Sequence, residues 1–291
     1  MRTFAQVQAA ESHYKAAHKI FPSDSIWKKP LEILYQDADF AVIDKPQGIP
    51  IQGGEGTNLM KSDLLLPLSD GEGEIIKKPI IVHRLDAPTG GLLILAKNKE
   101  AERNLKKSLA EQRFKKRYRA IVFGNIKAES GNIVEPVNGK TAETRYEVVR
   151  RTRCCDERAN GWITTVDLYP ISGRKHQIRR HLKHIGHPIW GDRRYARYVT
   201  KEASFSSKSC GLSEEDKIDL LHRVTVEEDS HARLCLWAME LCLPHPWTNV
   251  QVRVSLREDP VWLKSLESHQ EKLYFSTVSQ RGSKCEQIVN K

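Results

Sequence analysis

The sequence predicts an α+β protein built on a mixed, mainly antiparallel sheet with flanking helices. Three observations carry this reading. Strand-like runs outnumber helix-like ones. They follow one another directly, separated by turn residues and not by helices, which argues against alternating βαβ units. Only two segments carry the three-to-four-residue apolar spacing of a helix face.

Taken in order, residues 1–30 read as a loose lead-in, too short for a domain of its own. Leu31–Tyr35 and Phe40–Ile43 are strand-like runs around a turn at Asp37-Ala38-Asp39. Asp44-Lys45-Pro46-Gln47-Gly48 ends that hairpin, with Pro and Gly in turn positions. Residues 52–79 hold Gly and charge clusters around a short apolar run at Leu64–Leu68, and read as loop with one helical turn. His83 to Lys97 follows. In it Asp86 precedes turn formers Pro88, Gly90 and Gly91, and Leu92–Ala96 is wholly apolar, as in a strand buried on both faces. The residues alone leave two readings of Asp86: an acid capping the turn before a strand, or a reactive carboxylate mounted on a rigid scaffold.

Asn98 can cap the next helix, in which Ala101, Leu105 and Leu109 share a face. Glu102 and Lys106 can pair there, and Arg103, Lys106 and Lys107 point outward. Lys116–Gly124 reads as a strand with Tyr118, Ala120 and Val122 on one face. Thr144–Val149 and Trp162–Tyr169 are further strands joined by a polar segment, Arg150–Gly161. Ile178, Leu182 and Ile185 then form a helical face stopped by Gly186, with Arg179, Arg180 and Lys183 off that face. Residues 199–231 are Ser-rich and then acidic and read as an exposed insertion. Leu234–Leu243 and Val250–Leu256 return to strand composition, and a polar tail follows.

The net charge of +10 is concentrated in two places. Residues 97–119 carry ten Lys/Arg against three Glu, and residues 173–198 carry eight against one Asp. Such stretches suit a polyanion, most simply nucleic acid, or else a solvated basic face. No apolar run reaches membrane-spanning length, so a soluble chain with no membrane partner is expected. Six cysteines without a C-x-x-C pair point to reduced thiols in a cytoplasmic compartment. The first 22 residues lack a secretory core and give no support to an organelle transit peptide.

Histidines 176, 181, 184 and 187 have spacing that a metal could use, but no H-E-x-x-H pattern accompanies them, and hydrogen-bonding or phosphate-contacting roles fit better. Phosphate-cradling glycine loops and a G-x-S-x-G elbow are absent. What remains is one acid beside an arginine, a tyrosine in a basic strand and an Arg-rich helix. That set suits chemistry on a nucleic-acid base: a carboxylate to react, a guanidinium to keep it ionised, a ring to stack.

These pieces resemble the RluA-type pseudouridine synthases. The resemblance rests on His83-Arg84-Leu85-Asp86-x-x-Thr89-x-Gly91, on Lys116-x-Tyr118-x-Ala120-x-Val122-x-Gly124, and on Gly173-Arg174-x-His176-Gln177-Ile178-Arg179-x-His181-Leu182 running to Gly186-His187-Pro188-Ile189-x-Gly191-Asp192. Asp44-Lys45-Pro46-x-Gly48 and Arg233-Leu234-x-Leu236-x-Ala238 up to His245-Pro246 also fit, so the likeness covers residues 31–263. It implies a mostly antiparallel sheet crossed by a central cleft, the pseudouridine synthase fold. It implies an isomerase that converts uridines of tRNA or rRNA to pseudouridine, as a monomer and with neither cofactor nor metal. By the same resemblance Asp86 is the catalytic carboxylate, Tyr118 stacks on the base, Arg179 pairs with Asp86 and Ile178 packs against the base. Arg84 would fill the stack left by the flipped nucleotide. His83, Lys116, Arg174 and His176 are expected RNA contacts. Lys45 either lines the cleft or sits in the hairpin turn. The chemical route of Asp86 stays open.

The chain departs from the family pattern at Gly90, where Ser is usual, and at Trp237, where His is usual. Altered packing is the expected result. Thirty lead-in residues cannot encode the N-terminal RNA-binding domain of many relatives, so target choice is expected to rest on one catalytic domain, residues 31–263, its 199–231 insertion included. Residues 264–291 form the tail. Two competing readings follow from the same residues. One is a non-catalytic RNA-binding or RNA-folding module on this fold; the other is a metal-dependent nucleic-acid hydrolase that uses the histidine cluster.

Overall fold

The structure, a computed structural model, describes residues 33–51, 68–69, 75–76, 79–154, 156–196 and 234–256. The lead-in, the 199–231 insertion, Arg233 and the polar tail lie outside the described residues. The chain forms two compact units, Met1–Phe114 with Cys242–Val254, and Lys115–Leu241 with Ser255–Lys291.

In the first unit β1 (Ile33–Gln36) and β2 (Phe40–Lys45) form the expected antiparallel hairpin. Asp37 shapes its turn: Oδ1 accepts the N–H groups of Asp39 and Phe40, and Oδ2 accepts the Tyr35 hydroxyl. Two short strands, β3 (Leu68–Ser69) and β4 (Ile75–Ile76), pair antiparallel where the sequence suggested loop and a helical turn. Two-residue strands are too short to display alternation, which is why the pattern missed them. β5 (Ile80–Ile81) and β2 flank β6 (Gly90–Ala96), whose seven residues are all buried, as its apolar run requires.

Helix α1 (Lys99–Ala110) follows at once. Asn98 is extended, and its side chain accepts the Ala101 N–H at 2.8 Å, satisfying an N-terminal donor that the helix cannot. Glu102 pairs with Lys106 at 2.6 Å across one turn. Ala101 and Leu105 are buried as expected. The third buried position is Ser108, with Leu109 only half-buried, because a 3.6-residue turn rotates the face back by about one residue per two turns. Asn98→Ala is expected to cost about 1 kcal/mol of stability, read as a lower urea midpoint with unchanged slope.

The second unit holds four antiparallel strands ordered β7 (Lys115–Phe123), β10 (Trp162–Pro170), β9 (Glu143–Arg153), β8 (Ser130–Val134), so that β7 pairs with the last of them in sequence and not with the next. β9 runs four residues beyond the expected end at Val149. Between Thr165 and Val166 of β10 the register skips Val149, so this residue is extra on β9 and stands 48% exposed. The bulge flips the alternation, which hides the second half of the strand from a period-two reading. Gly131 faces Tyr146 across the β8–β9 pair, and a Cβ there would lie 2.6 Å from the tyrosine ring. Only glycine lets that ring lie across the strand.

Helix α2 (Gln177–His184) starts from His176 in the left-handed region and stops at Gly186, also left-handed. Ile178 and Leu182 are buried as read from the sequence; Arg179 is buried too, against the expectation that it lies off the packed face. β11 (Leu236–Pro244) and β12 (Gln251–Ser255) complete the described elements. Among the described residues no helix is long and apolar enough to cross a membrane.

Candidate active site

In the first unit the Asp86 turn grows from two strand ends. Gly91 of β6 lies opposite Lys45 of β2, and Leu92 opposite Asp44. The chain on either side of those residues therefore leaves the sheet in company. Thr89 N–H donates to the Asp86 carbonyl at 2.9 Å, which closes a four-residue turn through Ala87 and Pro88. The 45–49 segment grips this turn from outside. Gly48 N–H donates to the Ala87 carbonyl at 2.7 Å, and Gln47 Nε2 donates to the Pro88 carbonyl at 2.8 Å. Gly48 sits at φ +89°, a conformation that a side chain would oppose. The Asp86 carboxylate is thus half-buried on a turn held at two successive carbonyls.

Lys45 is 1% exposed. Its Nζ donates to the carbonyls of Pro46 at 2.8 Å, Ile49 at 3.1 Å and Ala87 at 3.3 Å. The ammonium is therefore a tie between the two loops. Burial pushes it down from an ordinary 10.5 to about 7, against the opposing pull of the Asp44 and Asp86 carboxylates. The unfolded chain holds this proton up to the ordinary value, and the folded chain releases it near 7. The folded state therefore carries the full cost of a buried charge below about pH 7, and that cost fades as pH rises toward 10.5. Urea midpoints of the wild type and Lys45→Met, compared at pH 6.5 and 9.5, are expected to shift in favour of the wild type at the higher pH. A difference that stays constant would contradict this.

His83 is half-buried, and its Nε2 accepts the Ile94 N–H at 3.2 Å, tying the approach to the turn onto β6. Arg84 is exposed. Of the expected site residues, the first unit thus holds Lys45, His83, Arg84 and Asp86.

The second unit holds the others. Tyr118 is buried on β7 opposite Leu168 of β10. On the other face of that strand Arg117 and Arg119 converge on the buried Asp167, the latter at 2.7 and 2.9 Å. That pairing is the alternation of a strand used twice, with cations on one face and a ring on the other. Lys116 is half-buried, and desolvation holds its ammonium below the usual lysine value.

Arg179 donates from Nε and Nη2 to the two Asp192 oxygens at 2.7 and 2.8 Å. Asp192 is 3% exposed and also accepts the N–H groups of Arg194 and Tyr195, each at 3.0 Å. Burial opposes ionisation of this acid; the guanidinium and the two N–H donors outweigh it and leave Asp192 below its usual value. The Tyr195 ring lies 5.0 Å from the guanidinium, and its hydroxyl meets His176 Nδ1 at 2.9 Å. Arg174 is exposed and reaches the Thr141 carbonyl. Gln177 fastens the start of α2 to β9, donating to the Glu143 carbonyl and Thr144 Oγ1 and accepting from Ser172 and Arg174. Asp192, Tyr195 and Gln177 had no role assigned from the sequence. Asp192 and Tyr195 lie thirteen and sixteen residues from Arg179, beyond any helical spacing rule.

The four histidines do not converge. Nδ1 of His176 meets Tyr195, Nε2 of His181 meets the Glu135 carbonyl, Nδ1 of His187 meets the Phe123 carbonyl, and His184 faces the Glu135 carboxylate at 3.8 Å. Among the described residues the closest set of metal-type ligands is Asp37, Asp39 and His245. There His245 Nδ1 accepts the N–H groups of Trp247 and Thr248, so its proton sits on Nε2, the atom facing Asp37 at 3.3 Å. A donor hydrogen, not a lone pair, points at the carboxylates.

The sequence signature of the RNA pseudouridylate synthase family spans residues 39–184, from β2 to the end of α2. The chain is 30% identical over 244 residues to the dual-specificity RNA pseudouridine synthase RluA of Haemophilus influenzae, covering 79% of this chain and 94% of that one. It is 35% identical over 200 residues to the RluA enzyme of Vibrio parahaemolyticus, covering 62% of this chain and 74% of that one. It spans 56% of the length of an uncharacterized RNA pseudouridine synthase of Aquifex aeolicus, at 34% identity over 57% of this chain. Human RNA pseudouridylate synthase domain containing 1 shares the fold, with a TM-score of 0.56 at 22% identity over 81% of this chain and 86% of that one. With the Asp86 turn, Tyr118 and Arg179 all inside or beside the matched strands and helix, the chain belongs to the RNA pseudouridylate synthase family, in its RluA-type branch.

Proposed function

We propose that this protein is an RNA pseudouridine synthase acting on uridines of tRNA or rRNA. The observation that carries the reading is the Asp86 carboxylate, half-buried on a turn fixed by Lys45, Gln47 and Gly48 within the segment matched to the family. The reaction is an isomerisation. The bond from uracil N1 to ribose C1′ breaks, the base turns, and C5 bonds to C1′; the C5 proton leaves and N1 gains one. Nothing is oxidised or reduced, so acid–base and nucleophilic groups of the chain suffice. Asp86 is the group that reacts with the nucleotide. Arg179, itself oriented by Asp192, pairs with Asp86 and keeps it ionised. Tyr118 stacks on the flipped base, Ile178 packs against it, and Arg84 fills the vacated stack. His83, Lys116, Arg174 and His176 border the RNA path, and residues 31–263 act together as one catalytic domain. Relatives named as dual-specificity RNA pseudouridine synthases support action on more than one RNA.

Release of tritium from RNA labelled at uridine C5 tests this. Purified protein with excess chelator is expected to release label from tRNA or rRNA transcripts. Retention of label on every transcript, with RNA still bound, would remove the proposal in favour of a binding module.

A further inference from the structure

We propose that a pocket in the second unit binds one nucleotide unit, holding its base between Asn125 and His187 and its phosphate at Lys127. The pocket measures about 410 Å³, within the usual range of roughly 300–1,000 Å³ for ligand sites. It opens at the Phe123 end of β7, five residues along the strand from Tyr118, or about 17 Å at the usual rise. It is therefore a second site and not part of the place where Tyr118 stands. The ligand class rests on the reading of this protein as an RNA-modifying enzyme; the pocket itself does not.

The walls are built and fixed. Arg151 donates from Nε to the Ile126 carbonyl at 2.9 Å and from Nη2 to the Lys127 carbonyl at 3.2 Å, which holds the 125–127 segment in place. Arg158 forms a forked pair with Asp156, and its guanidinium lies 5.4 Å from the Phe123 ring and 5.6 Å from the Trp190 ring. At the floor His187 Nδ1–H donates to the Phe123 carbonyl at 2.8 Å. Gly124, at φ +83°, makes room for that ring: a Cβ there would lie 3.0 Å from Nδ1.

The chemistry of the lining selects the ligand. Asn125 Oδ1 is shielded from solvent and has no hydrogen-bond partner, so a rotation of the side-chain amide that brings it to a ligand N–H satisfies it. With Nδ1 of His187 donating to the Phe123 carbonyl, Nε2 is the ring nitrogen left to meet a ligand. The imide N–H of uracil or the amino group of another base supplies such a donor. Phe123, stacked on Trp190 at 4.7 Å, and Trp162, with the Arg153 guanidinium 3.8 Å from its ring, also border the pocket. Lys127 is exposed at the rim, and among the described residues lining the pocket there is no Asp or Glu. A cation with no opposing acid suits a phosphate.

The test uses the full chain carrying Asp86→Ala, so that binding is read without turnover. Anisotropy of a fluorescent 12-nucleotide RNA is measured with Lys127→Glu, Lys127→Arg and Asn125→Leu added, each checked for an unchanged melting temperature. Lys127→Glu is expected to weaken binding at least fivefold and to lower the salt slope by about one, with Lys127→Arg near the parent. Asn125→Leu is expected to weaken it about threefold. Titration with the four free nucleoside monophosphates separates the sources. Lys127-sensitive binding of the strand, with no monophosphate bound, assigns the pocket to RNA, and Lys127-sensitive binding of a monophosphate assigns it to free nucleotide. Affinities within twofold for every variant, with no monophosphate bound, would overturn the proposal. A protein that forms pseudouridine with such unchanged affinities loses this pocket alone. One that binds through Lys127 yet releases no tritium loses the synthase reading alone.

Discussion

Asp86→Asn is expected to abolish tritium release from C5-labelled RNA, by at least about 10⁴-fold, while leaving folding and RNA affinity near those of the wild type. The magnitude follows from what is removed. An amide neither attacks a carbon nor takes a proton near neutral pH, and losing a positioned acid or base alone costs on the order of 10²–10⁴ in rate. Where the same group is also the nucleophile, the losses compound. A 10⁴-fold loss corresponds to about 5.5 kcal/mol of barrier. The fold should tolerate the change because the turn is closed by the Asp86 backbone carbonyl, which the amide retains, and is gripped at Ala87 and Pro88. The check is a single-turnover assay beside an anisotropy titration of the same RNA. Residual turnover above about one per cent would show that Asp86 orients the substrate and does not react with it.

The parts of this molecule that were legible in the sequence are those governed by near neighbours. Leu92–Ala96 is buried on both faces because a run of apolar residues has no polar face to offer water. Asn98 caps α1 because its carbonyl oxygen reaches an N–H three residues on. The motif segments likewise placed Asp86 on a turn and Tyr118 on a strand. What stayed hidden depends on distant partners. Lys45 looks like a surface cation; its burial becomes tolerable only when Ile49 and Ala87 present carbonyls from two loops. Arg179 looks like an exposed helix residue, yet Asp192 lets it go inside. The bulge at Val149 belongs to the pairing of β9 with β10 and leaves no mark on β9 taken alone.

The Arg179–Asp192 pair is expected to show the largest stability effects among the site residues. Both members are buried, and the contact is forked. Asp192→Ala would take its forked contact at 2.7 and 2.8 Å from a buried guanidinium beside Tyr195 and would strip the Arg194 and Tyr195 N–H groups of their acceptor. Breaking a buried pair from one side costs about 3–5 kcal/mol, because the surviving charge is still desolvated. Arg179→Met with Asp192→Leu removes both charges and should recover the part of that loss due to the broken ion pair, though not the part due to the Arg194 and Tyr195 N–H groups, so the two substitutions are expected to be non-additive in urea unfolding. Activity should separate from stability here. Arg179→Lys keeps the charge but cannot fork onto Asp192. If Arg179 acts by orienting Asp86, turnover at saturating RNA falls by on the order of 10²-fold in this variant, as a misplacement of about 1 Å would cause, with KM little changed. The double variant folds and should be inactive. A double variant that is both stable and active would make the pair a packing device and return the orientation of Asp86 to the first unit, where Lys45, Gln47 and Gly48 already hold its turn.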